Sequence, residues 1–97
     1  MALEFEWDAD KAAFNWREHG LEFDEAIKVF QDPFAVERLD TREDYAEERT
    51  NLFGMCDGVL IHVTYTERGE RIRIISARRA DSKERRRYGQ NRTKDVG

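Results

Sequence analysis

The sequence predicts an α+β domain with helices before and after an antiparallel sheet. An alternating apolar pattern opens the chain, spacings of three and four residues follow over residues 9–30, and alternation returns from Phe34 onward. The 97-residue length allows one domain with a modest core, and a charged fraction of 39% requires a strongly polar surface. We therefore expect one domain over residues 1–90, followed by a frayed tail over residues 91–97.

The N-terminal segment predicts a short strand followed by a helix. Leu3, Phe5 and Trp7 alternate with glutamates, which is typical of a strand with one buried face. Apolar residues then recur at helical spacing over Asp8–His19, so we predict a helix whose first residue acts as the N-cap. Gly20 is suited to end that helix in the left-handed conformation.

A second amphipathic helix is predicted over residues 23–30, with Pro33 as a stop signal. The short link between the two helices leaves room only for a tight corner, so both are expected on one face of the sheet. Their large aromatic residues, Trp16, Phe23 and Phe30, have core spacing and are expected to be buried rather than to stack on a ligand.

Four strands are predicted in the second half of the chain. Asp57-Gly58 is a strong signal for a tight hairpin turn, and the last three strands therefore form an antiparallel meander. The predicted strands cover residues 34–39, 50–56, 59–66 and 71–78, and a polar connector covers residues 40–49. A last helix is predicted from Ser82, capped by Asp81 or by Ser82 itself, and Gly89 is expected to end it.

Charge is distributed unevenly along the chain. Residues 68–97 contain eleven Lys or Arg and four Asp or Glu. Residues 1–67 contain six Lys or Arg and seventeen Asp or Glu. A concentrated cationic end on an acidic chain suits a polyanion such as a nucleic-acid backbone. A solvated charged helix beside a basic tail would give the same composition, so charge alone leaves both interpretations open.

Several classes of protein are disfavoured. No apolar run approaches the roughly 18–20 residues that a membrane span needs, and the acidic N-terminus is unlike a signal peptide, so we expect a soluble cytoplasmic protein. Cys56 is the only cysteine and is expected to be a small buried filler. With two histidines and one cysteine, a structural zinc site is not expected, and no cofactor motif is present.

Residues spread along nearly the whole chain resemble the BrnT family of bacterial toxins. The resemblance implies a RelE-like fold, in which two N-terminal helices pack on an antiparallel sheet and a C-terminal helix follows. The residues that carry it, in order, are Phe5-Glu-Trp-Asp-x-x-Lys11, Asn15, His19-Gly20, Phe23, Glu25-Ala26, Val29-Phe30, Asp32-Pro33, Glu48-Arg49, Gly54, Ile72-x-Ile-Ile-Ser-Ala-Arg78, Glu84-Arg85 and Tyr88.

The resemblance also implies an activity and a partner. Members of this family are ribonucleases that stop translation, and a co-expressed antitoxin called BrnA, a ribbon-helix-helix DNA-binding protein, holds them inactive. The toxin–antitoxin complex binds operator DNA through the antitoxin. In one respect this chain departs from the family pattern, because Glu18 occupies a position that is usually lysine. If that lysine holds RNA in other members of the family, Arg17 or Lys11 would have to do so in this chain.

Metal-independent RNA cleavage needs a base for the 2′-OH proton, an acid for the leaving oxygen and cations for the phosphorane charge. Arg78, at the end of an apolar strand, and Arg49, at the start of a facing strand, are the candidates for phosphate. His19 is the candidate general acid or base, because histidine is the residue type suited to proton transfer near neutral pH. The alternative is that His19 only interacts favourably with the helix dipole in the last turn of its helix. Glu84 and Tyr88 share a helical face and are further catalytic candidates, with a plain helix contact as the alternative for each.

The remaining basic residues are interpreted as RNA-binding, since steering charges raise affinity without reading sequence. They are Lys11, Arg79, Lys83, Arg85 and Arg86, with Arg87 and Arg92 as further steering charges. His62, on the less apolar face of a central strand, is interpreted as a hydrogen-bonded structural residue. Two other hypotheses remain open: a non-catalytic nucleic-acid-binding protein, and a degenerate toxin that retains only antitoxin binding.

Overall fold

The computed structural model describes residues 3–41 and 47–96, so part of the predicted polar connector lies outside the described residues. The α+β class is confirmed: a five-stranded sheet is combined with helices on both of its faces. The elements in chain order are β1 Glu4–Trp7, α1 Ala9–His19, α2 Phe23–Ala26, a 3₁₀ helix Ile27–Gln31, β2 Val36–Leu39, β3 Thr50–Cys56, β4 Val59–Arg68, β5 Arg71–Arg79 and α3 Ser82–Val96.

The prediction of two N-terminal helices on an antiparallel sheet is wrong in two respects. The sheet is mixed, in the order β1-β5-β4-β3-β2, because β1 pairs with β5 in parallel while the other three pairings are antiparallel. The second helix is a single α-helical turn in the middle of the helical region, and it continues as the 3₁₀ helix. Apolar spacing reports which face is buried, but it does not report strand direction or the type of helical turn.

Both ends of α1 are set by local chemistry, as predicted. The carboxylate of Asp8 accepts a hydrogen bond from the Lys11 N–H at 3.0 Å and so satisfies a donor that the helix leaves open. Gly20 has φ +66°, and its N–H donates to the Trp16 carbonyl at 2.9 Å. Only glycine adopts this left-handed conformation without cost, so the helix ends there.

The larger core lies between the sheet and the N-terminal helices. Phe23 and Val29 are almost fully buried against strand residues such as Ile61 and Ile74, and Phe30 is partly buried at the edge of the same cluster. The prediction that Trp16 belongs to this core is wrong, because 55% of its surface is exposed. The inward-facing position of α1 is taken instead by the polar residue Asn15, which is 2% exposed.

Asn15 is buried because it satisfies backbone groups that the sheet leaves open. β1 covers β5 only as far as Ile74, so the next part of β5 lacks a strand on that side. The Asn15 Oδ1 accepts from the Ala77 N–H at 2.9 Å, and its Nδ2 donates to the Leu21 carbonyl at 3.0 Å. A polar side chain in the core is stable when both of its hydrogen-bonding groups are used in this way.

The smaller core lies under α3 on the opposite face of the sheet. Tyr88 packs there with Val36 and Phe53, and its hydroxyl donates to Asp32 at 2.6 Å. Asp32 also accepts from the Met55 N–H at 2.7 Å. α3 is therefore attached to the loop before β2 as well as to the sheet.

Gly54 leaves the space that this attachment needs. A Cβ at Gly54 would lie 3.0 Å from an Asp32 carboxylate oxygen and 3.0 Å from the Ala35 Cβ. The Phe34 N–H also donates to the Asp32 side chain, at 2.9 Å, and the Ala35 N–H donates to the Asp32 carbonyl at 3.1 Å, so residues 32–35 form a turn. β2 consequently begins at Val36 and is shorter than the predicted strand over residues 34–39.

The predicted end of the last helix at Gly89 is wrong, because α3 continues to Val96. A glycine inside a helix costs about 1 kcal/mol relative to alanine, which tertiary contacts can offset. Asn91 supplies one such contact, since its Nδ2 donates to the Phe34 carbonyl at 2.8 Å. Within the described residues, no helix is both long enough and apolar enough to cross a membrane.

Candidate active site

A cleft opens on the α3 face of the sheet, between the start of α3 and the edge strand β2. Its volume is about 210 Å³. The edge strand forms one wall, β3 and β4 form the floor, and the first turn of α3 forms the other wall. The residues that line it are Arg38, Leu39, Asp40, Thr41, Asn51, Phe53, His62 and Glu84.

His62 lies in the floor of this cleft. It is 5% exposed, and its Nε2 is 3.6 Å from the Oε2 of Glu84. The ring is nearly parallel to that of its register partner Phe53, with centroids 6.4 Å apart. The imidazole is thus held between a buried aromatic ring and a carboxylate, and it faces a cavity that can admit a ligand.

Glu84 is positioned by the way α3 begins. Its N–H donates to the Asp81 Oδ1 at 2.8 Å, and its own Oε1 accepts from the Asp81 N–H at 2.9 Å. This reciprocal pair is a capping box, in which the N-cap and the third helical residue satisfy each other's donors. The signal is present in the sequence as Asp81-Ser-Lys-Glu84.

Glu84 also binds Arg78 through both carboxylate oxygens, at 2.9 and 3.0 Å. Burial alone would raise the pKa of Glu84, but hydrogen bonds from Arg78 and from the Asp81 N–H, together with the nearby His62, hold it below the ordinary value. Glu84 is therefore an ionised carboxylate whose lone pairs are largely occupied. Such a group is a weak base but an effective partner for a neighbouring cation.

A β-bulge brings Arg78 to this side of the sheet. Tyr65 pairs with Ile74 but Thr64 pairs with Ser76, so one extra residue, Ile75, lies in β5. Each residue after the bulge is turned to the opposite face from the one that regular alternation would give. Arg78 consequently lies opposite His62; without the bulge its side chain would point into the larger core.

Two residues predicted from sequence lie on α1, which packs on the other face of the sheet. His19 and Lys11 are both exposed there. A third, Tyr88, is 6% exposed under α3. Burial and the hydrogen bond to Asp32 raise the pKa of Tyr88 to about 12, so its hydroxyl is a poor proton donor near neutral pH. The structure does not bring these three residues to the cleft.

Arg49 lies beside the cleft rather than in its lining. Its carbonyl accepts from the Asp40 N–H at 2.9 Å, so strand pairing continues past β2 and places Arg49 opposite a residue of the cleft wall. One guanidinium nitrogen is 4.0 Å from Glu47. Arg49 is four residues from Phe53 along β3, a rise of about 13 Å, so it is well removed from the His62 level of the sheet.

Apart from Lys11, the basic residues predicted to bind RNA lie at or near the first turns of α3 and are exposed. Arg85 has one further contact, since its Nη1 donates to the Ala80 carbonyl at 3.0 Å. The others at this end of the molecule are Arg79, Lys83 and Arg86. Because they are exposed and do not line the cavity, they are placed to contact RNA that flanks the cleft rather than a group bound inside it.

One group of side chains in the described part of the chain could hold a metal ion, and it lies away from the cleft. Its members are Glu25, Cys56 and Asp57. The Lys28 ammonium already binds both carboxylates, at 2.9 Å from Glu25 and 2.7 Å from Asp57. Burial raises the pKa of the Cys56 thiol, which favours its protonated form. We therefore interpret this group as an ion pair beside a buried thiol.

Of the residues that line the cleft, only Glu84 is among the site residues predicted from sequence, and the charged or titratable residues not predicted for it include His62 and Arg38. His62 lies on the less apolar face of a central strand, a position that by itself predicts a hydrogen-bonded structural residue. Counting residues outward from the β4–β5 turn does not give Arg78 as the partner of His62, because the bulge shifts the register by one residue. Arg38 gave no signal beyond its position on a short strand.

Comparison with known proteins gives one match. The model of the family described as "Ribonuclease toxin, BrnT, of type II toxin-antitoxin system" matches residues 7–84. That range includes the cleft-lining segments of β2, β3 and β4 and the first turn of α3. Among curated proteins, none matches the chain.

Proposed function

We propose that this chain, which belongs to the BrnT family of ribonuclease toxins of type II toxin–antitoxin systems, cleaves RNA in the cleft between β2 and α3. The observation that carries this assignment is the arrangement of His62, Glu84 and Arg78, in which an imidazole faces a cavity beside an ionised, arginine-bound carboxylate. No metal ion takes part in the proposed reaction.

The reaction is an internal transfer within the RNA. The 2′-oxygen attacks the adjacent phosphorus, the bond from phosphorus to the 5′-oxygen breaks, and a 2′,3′-cyclic phosphate and a 5′-hydroxyl are formed. One proton leaves the 2′-OH and one is delivered to the 5′-oxygen. Because the nucleophile is the 2′-OH, RNA is cleaved and DNA is not.

His62 is the group in the cleft suited to take the proton of the 2′-OH, while the leaving 5′-oxygen, on the far side of phosphorus, takes its proton from solvent. An imidazole can accept and donate a proton near neutral pH, and this one is within reach of the cavity. Glu84 is better suited to orient and stabilise a cationic His62 than to act as the base, since its pKa is lowered and Arg78 occupies both oxygens. This assigns to His62 the role that the sequence suggested for His19.

Metal independence is supported by how Glu84, one of the two carboxylates among the described residues that line the cleft, is used. Two-metal catalysis needs carboxylates that are available as ligands. Glu84 is bound by Arg78, and the described residues that could share a metal ion lie elsewhere, around Lys28.

Membership of a type II family implies an antitoxin partner. We propose that this partner is a BrnA-like ribbon-helix-helix protein that contacts operator DNA on behalf of the complex, that the free toxin stops translation by cutting RNA in the cytoplasm, and that the fold is RelE-like. The exposed basic residues around α3 support an RNA partner, because they extend the positive field around the cleft.

A cleavage assay on the purified chain with EDTA present tests the proposed function. We expect RNA to be shortened, and RNA with a 2′-deoxy substitution at the cleaved position to remain intact. His62→Gln should lose about 10²–10⁴-fold in rate, the usual contribution of a proton-transferring group. His19→Gln should remain active, which distinguishes the two histidines.

Two results would contradict the proposal. RNA that is retarded in a gel but never shortened would indicate a binding protein without catalysis. RNA that is neither bound nor cut, from a chain that still binds its antitoxin, would indicate a degenerate toxin.

A further inference from the structure

The two walls of the cleft carry different charged side chains. The α3 wall carries Glu84, whose carboxylate is ionised, above His62. The opposite wall is formed by the edge strand β2, where Arg38 is exposed, and by the buried Asp40 that follows β2. Arg38 is the one arginine or lysine among the described residues that line the cavity.

Arg78 is not available to a phosphate in this arrangement. Both of its terminal nitrogens donate to Glu84, and one also donates to the Arg79 carbonyl at 3.0 Å. A guanidinium that already holds a buried carboxylate would have to exchange that bond for the phosphate, leaving Glu84 without its partner. Arg78 is therefore better suited to hold Glu84 than to bind substrate.

Arg38 is not held by a carboxylate of the described residues. Within residues 3–41 and 47–93, no carboxylate forms an ion pair with it, whereas Arg49, Arg68, Arg71 and Arg73 each have an acidic neighbour. On the register of the sheet, Arg38 lies opposite Asn51, which in turn lies opposite Thr64. The Thr64 hydroxyl donates to the Asn51 Oδ1 at 2.8 Å, so the hydrogen bond that Asn51 can offer to a ligand is an amide N–H.

We propose that Arg38 is the phosphate-binding residue of the cleft and that β2 is the wall along which a single strand of RNA runs, with the scissile phosphate between Arg38 and His62. This inference rests on the proposed function. A guanidinium can donate two parallel hydrogen bonds to a phosphate, and its charge offsets the extra negative charge of the phosphorane. The Asn51 amide supplies a further donor on the floor.

The dimensions of the site favour single-stranded RNA. A cavity of 210 Å³ has space for roughly one sugar–phosphate unit but not for a paired duplex. In-line attack by the 2′-OH also requires the backbone to leave the geometry of an A-form helix, and unpaired RNA does so most readily. β2 is the outermost strand, so a chain lying along it meets no neighbouring strand.

Substitution of Arg38 tests this inference by two measurements. In Arg38→Ala, kcat/KM on single-stranded RNA should fall about 10²–10³-fold, as for loss of one donor to a developing charge. Arg38→Lys keeps the charge but not the paired hydrogen bonds, so its kcat/KM should lie between that of the wild type and that of Arg38→Ala. Binding of a non-cleavable RNA, 2′-deoxy at the cleaved position, should weaken in Arg38→Ala, and the slope of log Kd against log salt should decrease by about 1.

Arg71→Ala is the matched control. Arg71 is also exposed, but it lies at the far end of the β4–β5 hairpin, where Glu4 and Glu6 are its partners. Circular dichroism and thermal unfolding should show that both variants remain folded, because both side chains are at the surface.

The outcomes separate this inference from the proposed function. If the wild type cuts RNA and Arg38→Ala matches Arg71→Ala in rate and in binding, the role of Arg38 is refuted while the ribonuclease assignment stands. If the wild type does not cut RNA, the ribonuclease assignment fails. Equal affinity of wild type and Arg38→Ala for the non-cleavable RNA then refutes the role of Arg38 as well.

Discussion

At the residue scale, Glu84 links the start of a helix to the chemistry of the cleft. The same carboxylate completes the capping box with Asp81, binds Arg78 through both oxygens and lies 3.6 Å from His62. These contacts lower its pKa despite its burial. Since a paired and buried carboxylate is costly to disturb, the position of His62 relative to the helix is well defined.

Glu84→Gln should destabilise the fold in a pH-dependent way. The folded-state pKa of Glu84 is below its ordinary value of 4.5, so the ionised form stabilises the protein above that pH, and the stabilisation is lost as pH falls through the lowered folded-state pKa. At pH 7 we expect a loss of about 1.5–3 kcal/mol in the free energy of unfolding, typical of hydrogen bonds to charged groups. Urea unfolding at pH 7 and pH 3 checks this.

The difference between wild type and Glu84→Gln should therefore shrink in acid. A difference that is the same at both pH values would mean that the ionisation of Glu84 contributes nothing to the stability of the fold.

At the scale of elements, β5 is organised by its bulge and by Asn15. The extra residue Ile75 turns Arg78 toward the cleft and Ala77 toward the core. The Asn15 side chain then satisfies the Ala77 N–H, which no strand covers. A helix residue thus stabilises the segment of β5 on which the position of Arg78 depends.

Asn15→Ala should lower the free energy of unfolding by about 1–3 kcal/mol, because the Ala77 N–H would be left buried without an acceptor. Trp16→Ala, in the next position of the same helix, is the comparison. Its side chain is 55% exposed, so the loss should stay below about 1 kcal/mol. Chemical denaturation of both variants measures the difference, and a larger loss in Trp16→Ala would contradict this account of α1.

At the scale of the whole molecule, α3 is held by contacts that are distant in sequence. Tyr88 and Asp32 are 56 positions apart, and Asn91 and Phe34 are 57 apart. Burial alone would raise the pKa of Asp32, but hydrogen bonds from Tyr88, Met55 and Phe34 hold it below the ordinary value. The first part of the chain therefore anchors the basic helix through the partly buried carboxylate of Asp32 and through the Phe34 carbonyl.

Tyr88→Phe keeps the ring but removes the bond to Asp32, so it should loosen α3 more than the sheet. We expect a loss of about 1–2 kcal/mol, with faster hydrogen exchange in α3 and little change in β4. Exchange followed residue by residue distinguishes the two elements. Equal acceleration in both would mean that α3 and the sheet open as one cooperative unit.

Much of the fold could be predicted because its signals are local. The caps of α1, the span of β3, the Asp57-Gly58 turn and the burial of Cys56 all follow from nearby residues, and the structure confirms them. The predicted burial of Trp16 is wrong because the residue spacing in α1 is compatible with more than one buried face of the helix. Asn15, not Trp16, lies on the face that packs against the sheet. Of the residues predicted for the site, Arg78 and Glu84 lie together in the structure. A strand end and a helix start can both be recognised from sequence, although their roles in the site stay predictions.

The sequence by itself determined the element types, the acidic and basic halves and the resemblance to one toxin family, because period, turn chemistry and motif spacing depend on neighbouring residues. The tertiary structure decided the parallel pairing of β1, the bulge at Ile75 and the choice of His62 over His19 for the cleft. Each of these depends on which distant strands hydrogen-bond and in what register. That choice is made by packing across the whole chain, and no local pattern encodes it.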